Sequence, residues 1–425
     1  MRYSFLLLIL LTFNTIVQAQ SLEECRELAK RNYPEIKQYD LISKTEQFNL
    51  SNAVRSWIPQ VAFSAQFTYQ SETITYPDVL ANMLTSNGID NVGIKKDQYK
   101  IALDVNQNIW DGGQTKANKE IIASEAEEQR LSIDVDIYNL QSRIDNLYFG
   151  ILLLEEREKQ TIETMRLLEG NLEKVRSYYN NGIAMQADLD AVEAEILTLN
   201  QSLEQILASK ATYRKMLEIF IGQELTSDTL QRPSVPQISE RVSKRPELSL
   251  FDSKINKINA QMKMINTSVY PRFNAFAQAY YGYPGFDMFK SMTSTDLTIN
   301  AIVGLKMSWN ISAFYTKKNN IQNLEIIRQQ IDVQRDIFNF NTEMQISQDD
   351  GEIARLTKAL ENDKRIVELR RSVREASESL LENGIINTTD LLQKITEEAT
   401  SVRNQTLHEI ELLQVIYRLK HTLNQ

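Results

Sequence analysis

Four segments of the chain alternate apolar and polar residues with a period of two, the pattern of a β-strand with one apolar face. They cover residues 61–69, 101–109, 273–281 and 299–307, and the apolar residues hold the odd-numbered positions. Residues 273–281 follow the pattern least well, because Phe276 and Tyr280 fall on the polar side. Each segment spans roughly 9 to 11 residues, the length that a tilted strand needs to cross a membrane. We therefore predict four membrane-spanning strands whose odd-numbered side chains face lipid; a soluble β-sandwich would show the same alternation.

Aromatic residues stand at the ends of these segments that adjoin helical sequence, namely Trp57, Trp110, Tyr270 and Trp309. All three tryptophans of the chain fall at this one boundary, which is typical of the aromatic girdle at a membrane interface. Trp110 is even-numbered, unlike the apolar residues of its own segment. The strand must therefore bend before Trp110 if the indole ring is to face lipid.

Long stretches outside the strand segments repeat apolar residues every three or four positions, the spacing of a coiled-coil seam. The clearest series cover residues 133–179 and 189–220. A helix over residues 114–180, rising 1.5 Å per residue, runs on the order of 100 Å, far more than the width of a globular domain. We therefore predict a mostly α fold with long projecting helices, together with one N-terminal helix over residues 22–57.

The whole pattern occurs twice along the chain. Pro34-Glu35 recurs as Pro246-Glu247, and the turn at Gly182 recurs at Gly384. Each copy reads as helix, strand, loop, strand, very long helix, tight turn and returning helix. We predict a first repeat over residues 20–225, an irregular connector over residues 226–240, and a second repeat over residues 241–425.

The N-terminal residues 1–19 have the form of a secretory signal peptide. A charged Met1-Arg2 precedes an apolar run over residues 5–11, and Val17 and Ala19 suit signal peptidase at the −3 and −1 positions. We expect the mature chain to begin at Gln20. No later segment has the roughly 18 or more uncharged apolar residues of a transmembrane helix, so any membrane insertion must use strands.

Composition argues against catalysis and against nucleic-acid binding. The formal net charge is −9, and no basic patch with interleaved aromatics is present, so we expect no nucleic-acid partner. The chain has two histidines, His408 and His421, and a single cysteine, Cys25. It has neither a glycine-rich phosphate loop nor the spacing of a metal site. We expect no enzymatic activity, no cofactor and no metal, and a buried or inert thiol at Cys25.

Over its whole mature length the chain resembles the TolC-type outer-membrane efflux proteins. The residues that carry the resemblance are the duplicated Pro34-Glu35 and Pro246-Glu247, Pro59-Gln60 and Pro271-Arg272, Trp110-Asp111-Gly112-Gly113, and the turns Asn181-Gly182-Ile183 and Asn383-Gly384-Ile385. The resemblance implies a homotrimer in which each chain gives four strands to one 12-stranded barrel. It also implies that the barrel continues into an α-helical coiled-coil tunnel in the periplasm.

The resemblance further implies a function. The protein would be the outer-membrane channel of a tripartite efflux or type I secretion system, giving passive passage to cargo that an inner-membrane pump energises. Its partners would be outer-membrane lipid, a periplasmic adaptor and the pump. The exported cargo and the class of pump do not follow from the sequence.

Roles for particular residues also follow from the resemblance. The tip turns would dock the adaptor, and they comprise Gly182, Ile183, Ala184, Gly384, Ile385 and Ile386. We expect the three isoleucines to be exposed, whereas simple loops between antiparallel helices are the alternative. Asp188 and Asp390 match a carboxylate of the periplasmic constriction. Either aspartate could equally be a helix-start residue, since a carboxylate in a first turn offsets the exposed amides.

The chain departs from the family pattern at the polar partners of the constriction. Leu381, Ile386 and Gln393 stand where the family has a tyrosine, an arginine and a second aspartate. A second reading of the whole sequence is a periplasmic coiled-coil adaptor or scaffold without a channel. That reading explains the signal peptide and the heptads, but it does not explain four membrane-length strands.

Overall fold

The computed structural model describes residues 20–425. The predicted signal peptide, residues 1–19, lies outside the described residues. Across residues 20–425, every helix is too short or too polar to cross a membrane.

Long helices dominate the described chain, and four strands interrupt them. The helices are α1 (Leu22–Asn32), α2 (Gln38–Arg55), α3 (Asp78–Ser86), α4 (Gln114–Asn180), α5 (Gln186–Ile221), α6 (Pro246–Thr267), α7 (Met288–Thr293), α8 (Ala313–Glu382) and α9 (Thr388–Leu423). The strands are β1 (Gln60–Tyr69), β2 (Asp97–Trp110), β3 (Arg272–Tyr283) and β4 (Thr298–Ser308). The prediction of a mostly helical fold is confirmed, and α4 has the bounds that the heptads predict.

The single helix predicted over residues 22–57 is wrong. The chain forms α1, then a 3-10 turn at Pro34–Lys37, and then α2. Proline lacks the backbone N–H that a helix interior requires, and its ring pushes the preceding residue away from helical angles. Tyr33 accordingly takes φ −63° and ψ 124°, an extended conformation that ends α1.

The described chain folds as two compact units. The helical unit comprises residues 20–39, 132–249 and 335–425, and the sheet unit comprises residues 40–131 and 250–334. Both units draw on both halves of the sequence, so they do not test the repeat boundaries at residues 20–225, 226–240 and 241–425, which stay a prediction.

The core of the helical unit forms around the middle of α4. Tyr148, Phe149 and Ile151 are fully buried there, among side chains from α1, α5 and α9. Cys25 on α1 lies in the same core as a free thiol. Burial, with the nearby charges of Glu24 and Glu23, raises the pKa of Cys25 to about 12, so the unreactive thiol form persists at neutral pH.

The four strands form one antiparallel sheet in the order β1-β2-β3-β4. Consecutive strands are neighbours throughout, although residues 111–271, with α4, α5 and α6, lie between β2 and β3. β1 and β4 each pair on one side only. The connections β1–β2 and β3–β4 contain the short helices α3 and α7.

Candidate functional site

The register of the sheet separates an apolar face from a polar face. Phe63 pairs with Leu103, Leu103 with Ala279, and Ala279 with Ala301, so odd-numbered residues meet odd-numbered residues across all four strands. The apolar residues of the odd-numbered face are Val61, Phe63, Ala65, Phe67, Tyr69, Tyr99, Ile101, Leu103, Val105, Phe273, Ala275, Ala277, Ala279, Tyr281, Tyr283, Ile299, Ala301, Val303, Leu305 and Met307. Its polar members are Gln107 and, at the end of β2, Asp97. The predicted segregation of the two faces is confirmed.

The odd-numbered face is open to the surroundings in the single chain. Ile299, Val303 and Leu305 on β4 are 83%, 80% and 79% exposed. An apolar patch that extends over four strands far exceeds the scattered apolar residues normal for a protein surface. Such a face requires a covering of lipid or protein.

A β-bulge resolves the opposite parity of Trp110. The pairing of β2 with β3 shifts between Asn108 and Trp110, so Asn108 pairs with Asn274 whereas Trp110 pairs with Phe273. An extra residue in one strand moves the following side chains to the other face. The indole of Trp110 therefore lies on the odd-numbered face, 5.9 Å from the Phe273 ring between centroids. The predicted bend before Trp110 is present.

All four predicted girdle residues are partly exposed, namely Trp57, Trp110, Tyr270 and Trp309. They lie where the strands adjoin α2, α4, α6 and α8. The indole N–H of Trp309 donates a hydrogen bond to the carbonyl of Val269 at 2.9 Å. Trp110 and Tyr270 have ring centroids 6.5 Å apart. Trp309 thus has an exposed apolar body and a bonded polar N–H, the arrangement that suits a membrane interface.

A second aromatic belt occupies the other ends of the strands, and the sequence reasoning missed it. Tyr69, Tyr99 and Tyr281 lie there on the odd-numbered face, and the centroids of the Phe67 and Tyr99 rings are 5.1 Å apart. From Tyr99 to Trp110 β2 advances 110 − 99 = 11 residues, about 36 Å along the strand. A tilt of about 45° reduces this to about 25 Å, the height of the apolar band in outer-membrane barrels.

The even-numbered face carries a connected polar network. The Asp104 carboxylate accepts hydrogen bonds from the Gln278 amide and, at 3.5 Å, from the Ser64 hydroxyl. The Gln278 carbonyl oxygen accepts a hydrogen bond from Lys100 Nζ at 2.9 Å. These residues come from β1, β2 and β3. The polar surface, like the apolar one, therefore extends over neighbouring strands.

Phe276 and Tyr280, the two aromatics expected on the polar side, do lie on the even-numbered face. The Phe276 ring covers Gly304, where an added Cβ would stand 2.9 Å from Phe276 Cε1. The Tyr280 hydroxyl donates to the Pro284 carbonyl at 3.1 Å, and Lys100 Nζ lies 4.7 Å from the Tyr280 ring centroid. Both rings therefore fill local gaps rather than form an apolar face.

The two helical hairpins reverse through turns of the same construction. Gly182 has φ +73° and Gly384 has φ +69°, a left-handed conformation that side chains with a Cβ resist. The Gly182 N–H donates to the Tyr179 carbonyl at 2.9 Å, and the Gly384 N–H donates to the Leu381 carbonyl at 2.9 Å. Glycine is thus the residue that lets each long helix end and the chain turn back.

The apolar tip residues divide into an exposed pair and a packed pair. Ile183 and Ile385 are 72% and 68% exposed. Ile386 packs against the buried cluster of Leu168, Leu391 and Ile395, so the prediction that it is exposed is wrong.

The reason lies in how α9 begins. Asn387 is the N-cap, and a hydrophobic residue just before an N-cap packs against the fourth helical residue, here Leu391. Ala184 repeats this contact before α5, packing in the cluster that contains Leu189.

Asp188 and Asp390 both act at helix starts. The Asp188 carboxylate accepts a hydrogen bond from the Met185 N–H at 2.9 Å. The Asp390 carboxylate accepts from the Asn387 N–H at 3.4 Å, while the Asp390 N–H donates to the Asn387 side chain at 2.8 Å. This reciprocal pair is a capping box. The constriction role of the two aspartates stays a prediction beside this capping role.

Residues 20–425 contain no group of three or more His, Cys, Asp or Glu side chains placed to hold a metal ion. His408 Nδ1 lies 2.7 Å from Asp363 Oδ2, which ties α9 to α8. His421 stacks on Tyr138 with ring centroids 4.0 Å apart. Both histidines have structural contacts in the helical unit.

Comparison with solved structures identifies the fold. No protein-family model matches the chain, and no curated protein sequence matches it. The outer membrane protein VceC from Vibrio cholerae matches with a TM-score of 0.69 and 14% identity, over 95% of this chain and 95% of that chain. The CmeC outer membrane channel of Campylobacter jejuni matches with a TM-score of 0.68 and 14% identity, over 96% of this chain and 86% of that chain. The open-state MtrE outer membrane channel of Neisseria gonorrhoeae matches with a TM-score of 0.68 and 14% identity, over 95% of this chain and 88% of that chain.

The chain has the TolC-type fold. At three positions this chain lacks the polar residues that the family resemblance implies for the constriction, and the residues found there have other contacts. Leu381 and Ile386 pack in one apolar cluster, and the Gln393 amide donates to Glu397 at 2.9 Å.

Ion pairs near the tips involve residues that the sequence reasoning did not single out. Lys174 Nζ on α4 lies 2.9 Å from the Glu382 carboxylate at the end of α8. Arg374 on α8 reaches Glu398 on α9 at 2.5 Å and Glu378 at 2.7 Å. These residues lie on the charged faces of regular helices, where the sequence gives no signal of which charges will meet.

Proposed function

We propose that this protein is the outer-membrane channel of a tripartite efflux or type I secretion system. The observation that carries the proposal is the two-faced sheet, in a fold shared with proteins described as outer membrane channels. Cargo energised by an inner-membrane pump would pass through the channel by diffusion. No catalytic step is part of this role.

In the proposed arrangement the odd-numbered face contacts outer-membrane lipid and the even-numbered face lines a water-filled lumen. The belt of Trp57, Trp110, Tyr270 and Trp309 would lie at the periplasmic interface, and Tyr69, Tyr99 and Tyr281 at the external interface. Barrels of the outer membrane have such girdles at both interfaces, with lipid-facing and lumen-facing residues alternating between them.

The open edges of the sheet support a homotrimer. In lipid, the unpaired N–H and C=O groups along β1 and β4 would each cost several kcal/mol. Pairing β1 of one protomer with β4 of the next satisfies both edges. Three protomers with four strands each would close a 12-stranded barrel.

The tip turns support the docking of a periplasmic adaptor. Ile183 and Ile385 are exposed apolar residues on two turns of the same construction, and a trimer would present three copies of each. Small contacts repeated six times give avidity that one contact lacks. Ala184 and Ile386 would stabilise the turns by packing against the helices.

Fractionation and conductance test the proposal together. We expect the protein to stay in the outer-membrane fraction until detergent is added, to have the mass of a trimer, and to conduct ions in planar bilayers. A protein released in osmotic-shock fluid as a non-conducting species would instead be a periplasmic adaptor or scaffold.

A further inference from the structure

A large polar basin lies within the sheet unit, where the even-numbered face meets α2 and α4. It has a volume of about 800 Å³. Six asparagines line it, two from α2, two from β2, one from α4 and one from β3, namely Asn49, Asn52, Asn106, Asn108, Asn118 and Asn274. We call this cavity the amide basin.

The amide groups of the basin are available to a ligand. None of the six asparagine side chains has a hydrogen-bond partner within the protein, as far as residues 20–425 are concerned. Water satisfies such groups in the free protein, and a ligand with matching hydroxyls can replace that water. Each amide offers two donors and one acceptor oxygen, so six of them can recognise several hydroxyls at once.

The basin contains one acidic and one basic side chain, Asp111 and Arg272. Asp111 is buried, and its carboxylate accepts hydrogen bonds from the Gly113 N–H at 2.9 Å and the Thr115 N–H at 2.6 Å. Arg272 is exposed at the other side of the basin and has no ion-pair partner in the described part of the chain. The Asp111 carboxylate is therefore engaged by backbone amides, whereas the Arg272 guanidinium is exposed and open to a ligand.

We propose that the amide basin is a binding subsite for an acidic oligosaccharide, and that this sugar chemistry represents the exported cargo. The amides would bind the sugar hydroxyls, and the planar fork of Arg272 would bind a sugar carboxylate with two parallel hydrogen bonds. Ile122 and Met264 are the only large apolar residues of the lining, so an apolar drug finds little surface here. The cargo role rests on the proposed channel function, because only a channel brings cargo to this face.

Calorimetric titration of the purified full-length protein tests the subsite. The probes are trigalacturonate and its methyl ester, which keeps the hydroxyls and lacks the charges. Wild-type protein should bind trigalacturonate at least about tenfold more tightly than the ester, the value of one charge-assisted bidentate contact. Arg272→Gln should remove this preference while ester binding persists. Asn118→Ala combined with Asn274→Ala should weaken the binding of both probes.

Lys306→Gln is the matched control, since Lys306 lies on the same face of β4 but does not line the basin. It should keep the tenfold preference. Equal binding of the two probes to wild-type protein, or an equal loss in Lys306→Gln and Arg272→Gln, would overturn the proposal. Conductance of the same preparation in planar bilayers reports the channel function separately. A conducting trimer that binds neither probe therefore refutes the subsite alone, and a non-conducting protein that binds them refutes the channel alone.

Discussion

Trp110 on β2 lies opposite Phe273 on β3, with ring centroids 5.9 Å apart, because the strand register shifts by one position after Asn108. Without this shift Trp110 would point to the polar, even-numbered face. The bulge thus completes the aromatic belt at the end of β2 that leads into α4. Bulges often serve to re-aim a side chain in this way.

Deleting Ile109, the extra residue of the bulge, should place Trp110 directly after Asn108, so that Trp110 pairs with Phe273 on the odd-numbered face in a regular ladder. In a background with Trp57→Phe and Trp309→Phe, the fluorescence of Trp110 reports its surroundings. Brominated lipids should quench that fluorescence strongly both with Ile109 present and after its deletion. Deleting Gly88, which lies in the β1–β2 connection with open space around it, is the control and should leave quenching unchanged. Weak quenching in the protein that contains Ile109, or after its deletion, would contradict the role given to the bulge.

If the proposed membrane insertion is right, a charge on the odd-numbered face should destabilise the sheet. Val303→Arg places a guanidinium near the middle of β4 and should cost about 2 to 4 kcal/mol of folding free energy in lipid. Lys306→Gln, on the other face, should fold and assemble normally. Urea unfolding in lipid vesicles and the yield of trimer measure both effects. Equal stability and trimer yield in the two variants would contradict the assignment of the odd-numbered face to lipid.

The neighbouring tip residues Ile385 and Ile386 should respond differently to the same change. Ile386→Ser loses packing against Leu391 and should destabilise the α8–α9 hairpin by about 1 to 2 kcal/mol. Ile385→Ser removes an exposed side chain and should change stability by less than about 0.5 kcal/mol. Thermal unfolding of the two variants measures the difference.

If the exposed tips dock an adaptor, export should depend on the exposed isoleucines, although they contribute little to stability. Ile183→Ser combined with Ile385→Ser should lower export at a normal trimer level, because both exposed apolar contacts are lost. Normal export by this double variant would remove the docking role from these turns.

The constriction hypothesis for Asp188 and Asp390 predicts a change in ion selectivity. In a trimer the two aspartates would form two rings of three carboxylates, which favour cations. Asp188→Asn combined with Asp390→Asn should therefore lower the ratio of cation to anion permeability of the reconstituted channel. Asp190→Asn is the control, since Leu392 stands at the corresponding place in the second copy of the pattern. An unchanged ratio in the double variant would leave both aspartates with their capping role alone.

The sequence predicted those features that depend on local periodicity. The long course of α4 from residue 133 to its end, the two faces of the sheet and the bend at Trp110 follow from the spacing of apolar residues, because burial and strand geometry act position by position. The left-handed glycines Gly182 and Gly384 were also predictable, since a tight reversal between helices has few other solutions.

Features that depend on distant partners could not be predicted. Ile386 packs against Leu391, a local contact before an N-cap, but also against the cluster that contains Leu168 of α4, which only the fold brings near. The second aromatic belt was missed because Tyr99 and Tyr281 look like ordinary apolar members of their strands. The amide basin draws its asparagines from four separate elements, so nothing in the sequence indicates that they meet.

Site-directed labelling along β4 tests the central claim most directly, that the sheet spans a membrane between lipid and a water-filled lumen. In a Cys25→Ser background, single cysteines at positions 299 to 307 would carry a nitroxide label in lipid-reconstituted protein. We expect the accessibility of the label to alternate with a period of two residues. Labels at odd positions such as 303 and 305 should be more accessible to oxygen, and labels at even positions such as 302 and 306 should be more accessible to a water-soluble nickel complex. Uniform accessibility to the nickel complex at all nine positions would contradict it.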